Sequence, residues 1–97
     1  MKTILCAAIH LNDGELWKHQ PKNIQKGFVI CGHRHHNCLA IFFGMFGESW
    51  MEKKKFIIQG FLTSDNEFVS RQDAAKIALA SGQIKEEIET LISEDLY

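Results

Sequence analysis

The chain lacks the features that mark membrane-spanning, secreted and nucleic-acid-binding proteins. Its 97 residues contain one proline, no internal repeat and no linker-like segment, so we expect a single domain over residues 1–97. A formal net charge of −1 gives no overall attraction to nucleic acid or to an anionic membrane. No stretch approaches the roughly 20 apolar residues of a membrane span. We therefore expect neither a nucleic-acid polymer nor a membrane as partner, and any anion site must be local.

Cysteine is scarce and odd in number. Cys6, Cys31 and Cys38 lack the spacing of a disulfide framework, so we expect reduced thiols and a cytoplasmic location. A structural zinc site usually takes two close pairs of Cys or His ligands, and no such spacing occurs here. The sequence therefore predicts neither a metal nor a cofactor.

What is present predicts a small α+β domain, in which an antiparallel or mixed sheet packs with two to three helices. The apolar runs "TILCAAIHL", "GFVICG" and "KKKFIIQGFLTS" indicate strands. Helices are expected over residues 33–46, over "RQDAAKIALAS" after a capping-box-like start at Ser70 and Asp73, and over "IKEEIETLI". A strand is the main alternative for "LAIFFGMF". As a helix this stretch is apolar all round, so the sheet or another subunit must cover it, and we expect a homo-oligomer, a dimer or larger.

The stretch "GHRHHNC" concentrates three of the five histidines beside an arginine and a cysteine. A strand leads into it and a helix follows, and free N–H groups at a helix N-terminus favour phosphate. Arg34 would add a forked donor, His35 and His36 would add donors near neutral pH, and Asn37 could read a base or ribose edge. One alternative is catalysis through His36 with His10, and another is that these histidines are only satisfied surface or interface groups. No nucleophile elbow or paired-carboxylate motif accompanies them, so we expect no catalytic residue.

Four blocks of the sequence resemble a known family: "CAAIH", "HQPKNIQKGFVICGHRHHNC", "QGFLTSDNEFVSRQDAAKIALASGQI" and the terminal "SEDLY". They are similar to small phage proteins of the Thoeris anti-defence sponge type. The chain departs from that pattern at His33, where arginine is expected, and around Glu67 and Ser70. The resemblance implies a homo-oligomeric signal-nucleotide-binding domain, in the host cytoplasm, that sequesters cyclic ADP-ribose isomers without cleaving them. Some members also hold cyclic oligonucleotides.

Such a ligand carries phosphates, riboses and adenine, and the sequence offers partners for each. Arg34 and Arg71 are candidates for the phosphates, and Phe68 is the candidate for stacking on the base. The alternative for Phe68 is a hydrophobic staple for the helix that follows. Glu94 and Asp95 could accept hydrogen bonds from ribose hydroxyls or the adenine amine, or could form only a solvated acidic tail. The competing function is a small metal-free phosphodiesterase or nucleotide hydrolase that uses His10 or His36.

Overall fold

A computed structural model describes residues 1–96, and its centre is one antiparallel sheet of four strands. The spatial order is β2-β1-β3-β4, so β1 is paired on both sides. The strands are β1 Ile4–Leu11, β2 Phe28–Gly32, β3 Ile57–Thr63 and β4 Phe68–Ser70. The main helices are α1 His35–Phe46 and α3 Arg71–Ser81. A single turn of helix, α2 Trp50–Lys53, lies between them, and short 3₁₀ turns occur at Gly47–Ser49, Lys54–Phe56 and Ser93–Asp95. This architecture confirms the predicted small α+β domain.

Both main helices cover the same face of the sheet. Side chains alternate along a strand, and Ala7 lies opposite Gly32 on β2 and Phe61 on β3. One continuous core joins this face to the buried sides of the helices. Its members include Ala7, Ile9, Leu11, Ile30, Phe61, Cys38 and Phe42 of α1, and Ala74, Ala75 and Ala78 of α3. We call this side of the sheet the helix face.

The helix boundaries follow from local chemistry. The sequence prediction for α1 is confirmed, with the first turn starting two residues later, because Arg34 has extended backbone angles (φ −129°, ψ 163°) and serves as the N-cap. Gly47 ends it with φ 53°. The α3 prediction is also confirmed, since the Ser70 hydroxyl accepts a hydrogen bond from the Asp73 N–H at 3.1 Å.

The predicted third helix, "IKEEIETLI", is wrong, because residues 83–92 form bends and irregular backbone. Leu91 is fully buried in the common core, and its N–H donates to the carbonyl oxygen of Arg71 at 3.0 Å. An isolated helix of nine residues is marginal in water, so the contacts of the segment with α3 and the core decide its path. The predicted strand entry at the three lysines is also wrong. Lys53 ends α2, Lys54 and Lys55 lie in the following 3₁₀ turn, and β3 begins at Ile57.

The opposite face of the sheet carries Cys6, Ala8, His10 and Phe68, and we call it the thiol face. The loop 12–27 joins its two edges. Val29 of β2 donates its N–H to the Gln20 side chain (2.9 Å), and the Asn23 amide makes two hydrogen bonds to the backbone of Phe68 on β4 (2.7 and 2.9 Å). Since the helices occupy the other face, this loop is the cover of the thiol face.

Gly60 on β3 requires the absence of a side chain. A Cβ atom there would lie 2.1 Å from the carbonyl oxygen of Val69 and 2.8 Å from Cζ of Phe68. The Phe68 ring instead packs across Gly60 toward the His10 ring, at a centroid distance of 5.7 Å. The glycine therefore allows β4 and its aromatic side chain to pack closely against β3.

Candidate functional site

The N-terminus of α1 is organised by its own side chains. The Asn37 Oδ1 atom accepts a hydrogen bond from the N–H of Arg34 at 3.0 Å, which fixes the entry of the chain into the helix. The guanidinium of Arg34 reaches the C-terminal 3₁₀ turn, where its Nη1 lies 3.6 Å from Oε1 of Glu94. The Ser93–Asp95 turn is thus brought next to the start of α1.

His35 is the buried member of the histidine cluster, with 8% of its surface exposed. Its Nε2 lies 2.7 Å from the carbonyl oxygen of Gly60, and its ring meets the edge of Phe61 at a centroid distance of 4.9 Å. A carbonyl can only accept, so Nε2 carries the proton. Burial lowers the pKa of His35, and the positive charge of Arg71 lowers it further against the opposing effects of the Gly60 carbonyl and Glu94. Burial therefore favours the neutral form of His35, and its Nε2–H donates to the carbonyl oxygen of Gly60 on β3.

Arg71, the first residue of α3, reaches the same place from the other helix. Its Nη2 donates to Oε1 of Gln59 at 2.5 Å, and its charge acts on His35. The structure thus brings together Arg34, His35, Gln59, Arg71 and Glu94, which we call the arginine cluster. Arg34 precedes α1 and Arg71 begins α3, and both belong to this cluster. Arg34 is joined to it by the ion pair with Glu94, and Arg71 by its effect on His35, so the cluster offers two arginines as candidates for binding an anion.

A cavity of about 420 Å³ lies between α1 and β3. Its lining is mainly apolar and aromatic, with Phe43 and Trp50 in edge contact at 4.9 Å and the Lys54 ammonium 5.4 Å from the Trp50 ring centre. Gln59 lines this cavity as well as holding Arg71, so the cavity adjoins the arginine cluster. Small-molecule sites commonly have this size and this mixture of apolar wall and few polar groups. We call it the aromatic cavity.

Sequence reasoning missed the aromatic cavity. Trp50 and Lys54 are four residues apart, a spacing at which side chains meet on a helix, and this was the available signal. Gln59 could not be identified in advance because its position depends on the register of β3 against β1, where it lies opposite Ile9.

The remaining predicted site residues lie elsewhere or are already engaged. His36 is exposed on the first turn of α1, and the Asn37 side chain caps that helix. Asp95 accepts a hydrogen bond from the N–H of Ile92 at 3.0 Å and so caps the last 3₁₀ turn. Phe68 is 9% exposed and packs on the thiol face, away from the arginine cluster. Of the eight predicted residues, the structure brings Arg34, His35, Arg71 and Glu94 together.

The two histidines of the catalytic alternative are separated by the sheet. His10 projects from the thiol face, and its Nε2 lies 2.9 Å from the carbonyl oxygen of Lys26. His36 belongs to α1, which packs on the helix face. These two side chains therefore do not form a catalytic pair.

Among residues 1–96, no group of three or more His, Cys, Asp or Glu side chains is placed to hold a metal ion. Within the same part of the chain, no helix is long and apolar enough to cross a membrane.

The similarity of this chain to known proteins lies in a phage protein family. Neither the curated proteins nor the solved structures contain a chain that matches this one. The family model described as "Phage T4 y16D protein" matches residues 3–97, nearly the whole sequence. The chain therefore belongs to the phage T4 y16D protein family.

Proposed function

We propose that the protein is an anti-defence protein that binds a cyclic ADP-ribose isomer without cleaving it and thereby blocks Thoeris-type immunity. The observation that carries this proposal is that Arg34 and Arg71, each at the start of a main helix, belong to one cluster of side chains beside the aromatic cavity. Membership of a phage family fits a protein that acts against a bacterial defence in the host cytoplasm.

The arrangement suits the parts of such a ligand. The diphosphate would sit at the arginine cluster, where the forked guanidinium groups match phosphate oxygens. The adenine would enter the aromatic cavity, since Trp50 and Phe43 offer ring surfaces for stacking and Gln59 offers an amide for a polar edge. Glu94 would release Arg34 and accept a hydrogen bond from a ribose hydroxyl.

We further propose that the protein works as a homo-oligomer. Helix α1 leaves Ile41, Phe43 and Met45 between 43% and 54% accessible. Phe43 lies on the flank beside the cavity, and Ile41 and Met45 lie on the opposite flank, so a partner must span the whole outer side of the helix to cover them. A second copy packed there would bury this surface and close the mouth of the aromatic cavity, which Phe43 also lines. Depletion of a signal needs tight binding, and closure by a partner slows release of the ligand.

The test is titration calorimetry of the protein with cyclic ADP-ribose isomers and, in parallel, cyclic dinucleotides, followed by heat release and analysis of the recovered ligand. The proposal expects stoichiometric binding of a cyclic ADP-ribose isomer and recovery of intact ligand. Recovery of hydrolysed product would favour the phosphodiesterase alternative. Absence of binding by every cyclic ligand at high micromolar concentration would refute the proposal.

A further inference from the structure

Two cysteine side chains meet on the thiol face, whereas Gln59 of the arginine cluster lies on the helix face. Cys31 of β2 lies opposite Ala8 of β1, and Cys6 is two residues along β1 on the same face. This is a diagonal cross-strand position, from which side chains can touch. The Cys31 thiol is in hydrogen-bond contact with the Cys6 sulfur. Cys31 is exposed and Cys6 is half-buried, so small molecules in solution can reach the pair.

We propose that Cys6 and Cys31 form a thiol–disulfide exchange site that closes reversibly to a cross-strand disulfide when it meets a small-molecule disulfide. Cys6 is the attacking thiolate and Cys31 the resolving thiol. Redox-sensing cysteines typically combine an acidic, accessible thiol with such a neighbour. This site is independent of the proposed ligand binding.

The surroundings prepare Cys6 for attack. The hydrogen bond from Cys31 lowers the pKa of Cys6 from 9.0 to about 7, against an opposing effect of burial and with a smaller contribution from the backbone N–H of Gly32. The same hydrogen bond raises the pKa of Cys31. The geometry thus favours negative charge on Cys6, which accepts the hydrogen bond, over Cys31, which donates it, and we take Cys6 as the attacking sulfur on that basis.

The exchange proceeds in two balanced steps. The Cys6 thiolate attacks one sulfur of the small disulfide, its S–S bond breaks, and one small thiolate leaves. The charge on Cys6 that held the proton on Cys31 is then gone. Cys31 loses its proton to solvent and attacks the Cys6 sulfur, which expels the second small thiolate. The two protein thiols are oxidised, and the small disulfide is reduced to two thiols.

The chain contains its own control thiol. Cys38 is fully buried on the helix face, where burial raises its pKa to about 11 and its thiol donates to the carbonyl oxygen of Ala7. A thiol that is buried and fully protonated reacts slowly. Cys38 is therefore the internal reference against which the reaction rates of Cys6 and Cys31 are compared in the folded protein.

The experiment is incubation of the folded, reduced protein with oxidised glutathione near pH 7, followed by intact-mass measurement and thiol counting. The wild type should lose two hydrogens, carry no glutathione and retain one thiol, Cys38. Cys31→Ser should stop at a single glutathione adduct on Cys6. Cys6→Ser, which retains only Cys31 on this face, should react with oxidised glutathione about five- to tenfold more slowly than the wild type. In the wild type, the larger thiolate fraction of Cys6 outweighs the lower nucleophilicity of an acidic thiol.

Two results would overturn the proposal. One is a wild-type protein that accumulates glutathione adducts as Cys31→Ser does, which would mean that Cys31 does not resolve. The other is a wild-type protein whose Cys6 and Cys31 react no faster than Cys38. The Cys38→Ser variant, tested in parallel, should behave as the wild type and lose both of its remaining thiols.

Discussion

Replacing Arg34 with alanine separates ligand binding from stability. Within residues 1–96, the one ion-pair partner of the Arg34 guanidinium is the exposed carboxylate of Glu94, at 3.6 Å. An ion pair of this kind contributes roughly 0–1 kcal/mol. The N-cap hydrogen bond uses the backbone N–H of residue 34, so it survives the substitution. We therefore expect the free energy of unfolding to fall by less than about 1 kcal/mol.

Binding should respond much more strongly. A charge-assisted hydrogen bond to a phosphate contributes roughly 1.5–3 kcal/mol, so Arg34→Ala should weaken binding of a cyclic ADP-ribose isomer about tenfold to a hundredfold. Arg34→Lys should restore only part of the affinity, because lysine lacks the fork. Glu94→Gln keeps an oxygen that can accept from a ribose hydroxyl but removes the carboxylate that competes with the ligand for Arg34. Its binding should therefore equal that of the wild type or exceed it by up to about fivefold.

The assay is calorimetric titration of each variant, with unfolding in urea as the measure of stability. Lys18→Ala, on the loop 12–27, is the matched control for loss of one positive charge and should bind as the wild type does. Equal weakening by Arg34→Ala and Lys18→Ala would mean that only overall charge matters. Unchanged affinity in a folded Arg34→Ala protein would refute the placement of phosphate at the arginine cluster.

Three further predictions concern stability and assembly. Gly60→Ala should lower the free energy of unfolding in urea by about 1–3 kcal/mol. Gly44→Ala, where a Cβ meets nothing within 4 Å, should be neutral or stabilising. Equal effects of the two substitutions would contradict the packing argument. The pKa of His35 is lowered in the folded state, so the unfolded state binds more protons and the free energy of unfolding should decline as the pH falls below about 6.5. His35→Gln should flatten this decline. Identical pH profiles for the wild type and the variant would exclude His35 as its source. Light scattering should give a mass at least twice 11.1 kDa at micromolar concentration, and Met45→Glu should reduce it; a monomeric wild type would refute the assembly.

The elements that sequence reasoning placed correctly are those with local signals. Ser70 with Asp73 marks the start of α3, and Gly47 marks the end of α1 by a conformation that favours glycine. The apolar residues of segment 83–92 have helical spacing, but the segment is not a helix. Ile84 and Ile88 pack against the core from irregular backbone. A periodic pattern records which residues are apolar, and tertiary packing decides how they reach the core.

The candidate site was predictable in part for the same reason. Arg34 and His35 stand in a recognisable stretch, but their meeting with Arg71 depends on how β3 and β4 align. Phe68 was a reasonable stacking residue by composition, yet strand alternation turns it to the thiol face, where Gly60 makes room for it. A one-residue difference in register decides the face on which a side chain lies, and the sequence alone does not state the register.

The constraint at Gly60 lies in the backbone as well as in a side chain, and this affects how the sequence can vary. A smaller residue in place of Phe68 would remove one obstruction to a side chain at position 60, but the carbonyl oxygen of Val69, at 2.1 Å from a Cβ, would remain. Compensation at residue 68 alone therefore cannot rescue a substitution of Gly60. Ser70 lies opposite Gly60 and caps α3, so any widening between β3 and β4 would also displace Arg71 from its partner on β3. We expect mutational tolerance at position 60 to be coupled to the geometry of the whole β4–α3 junction.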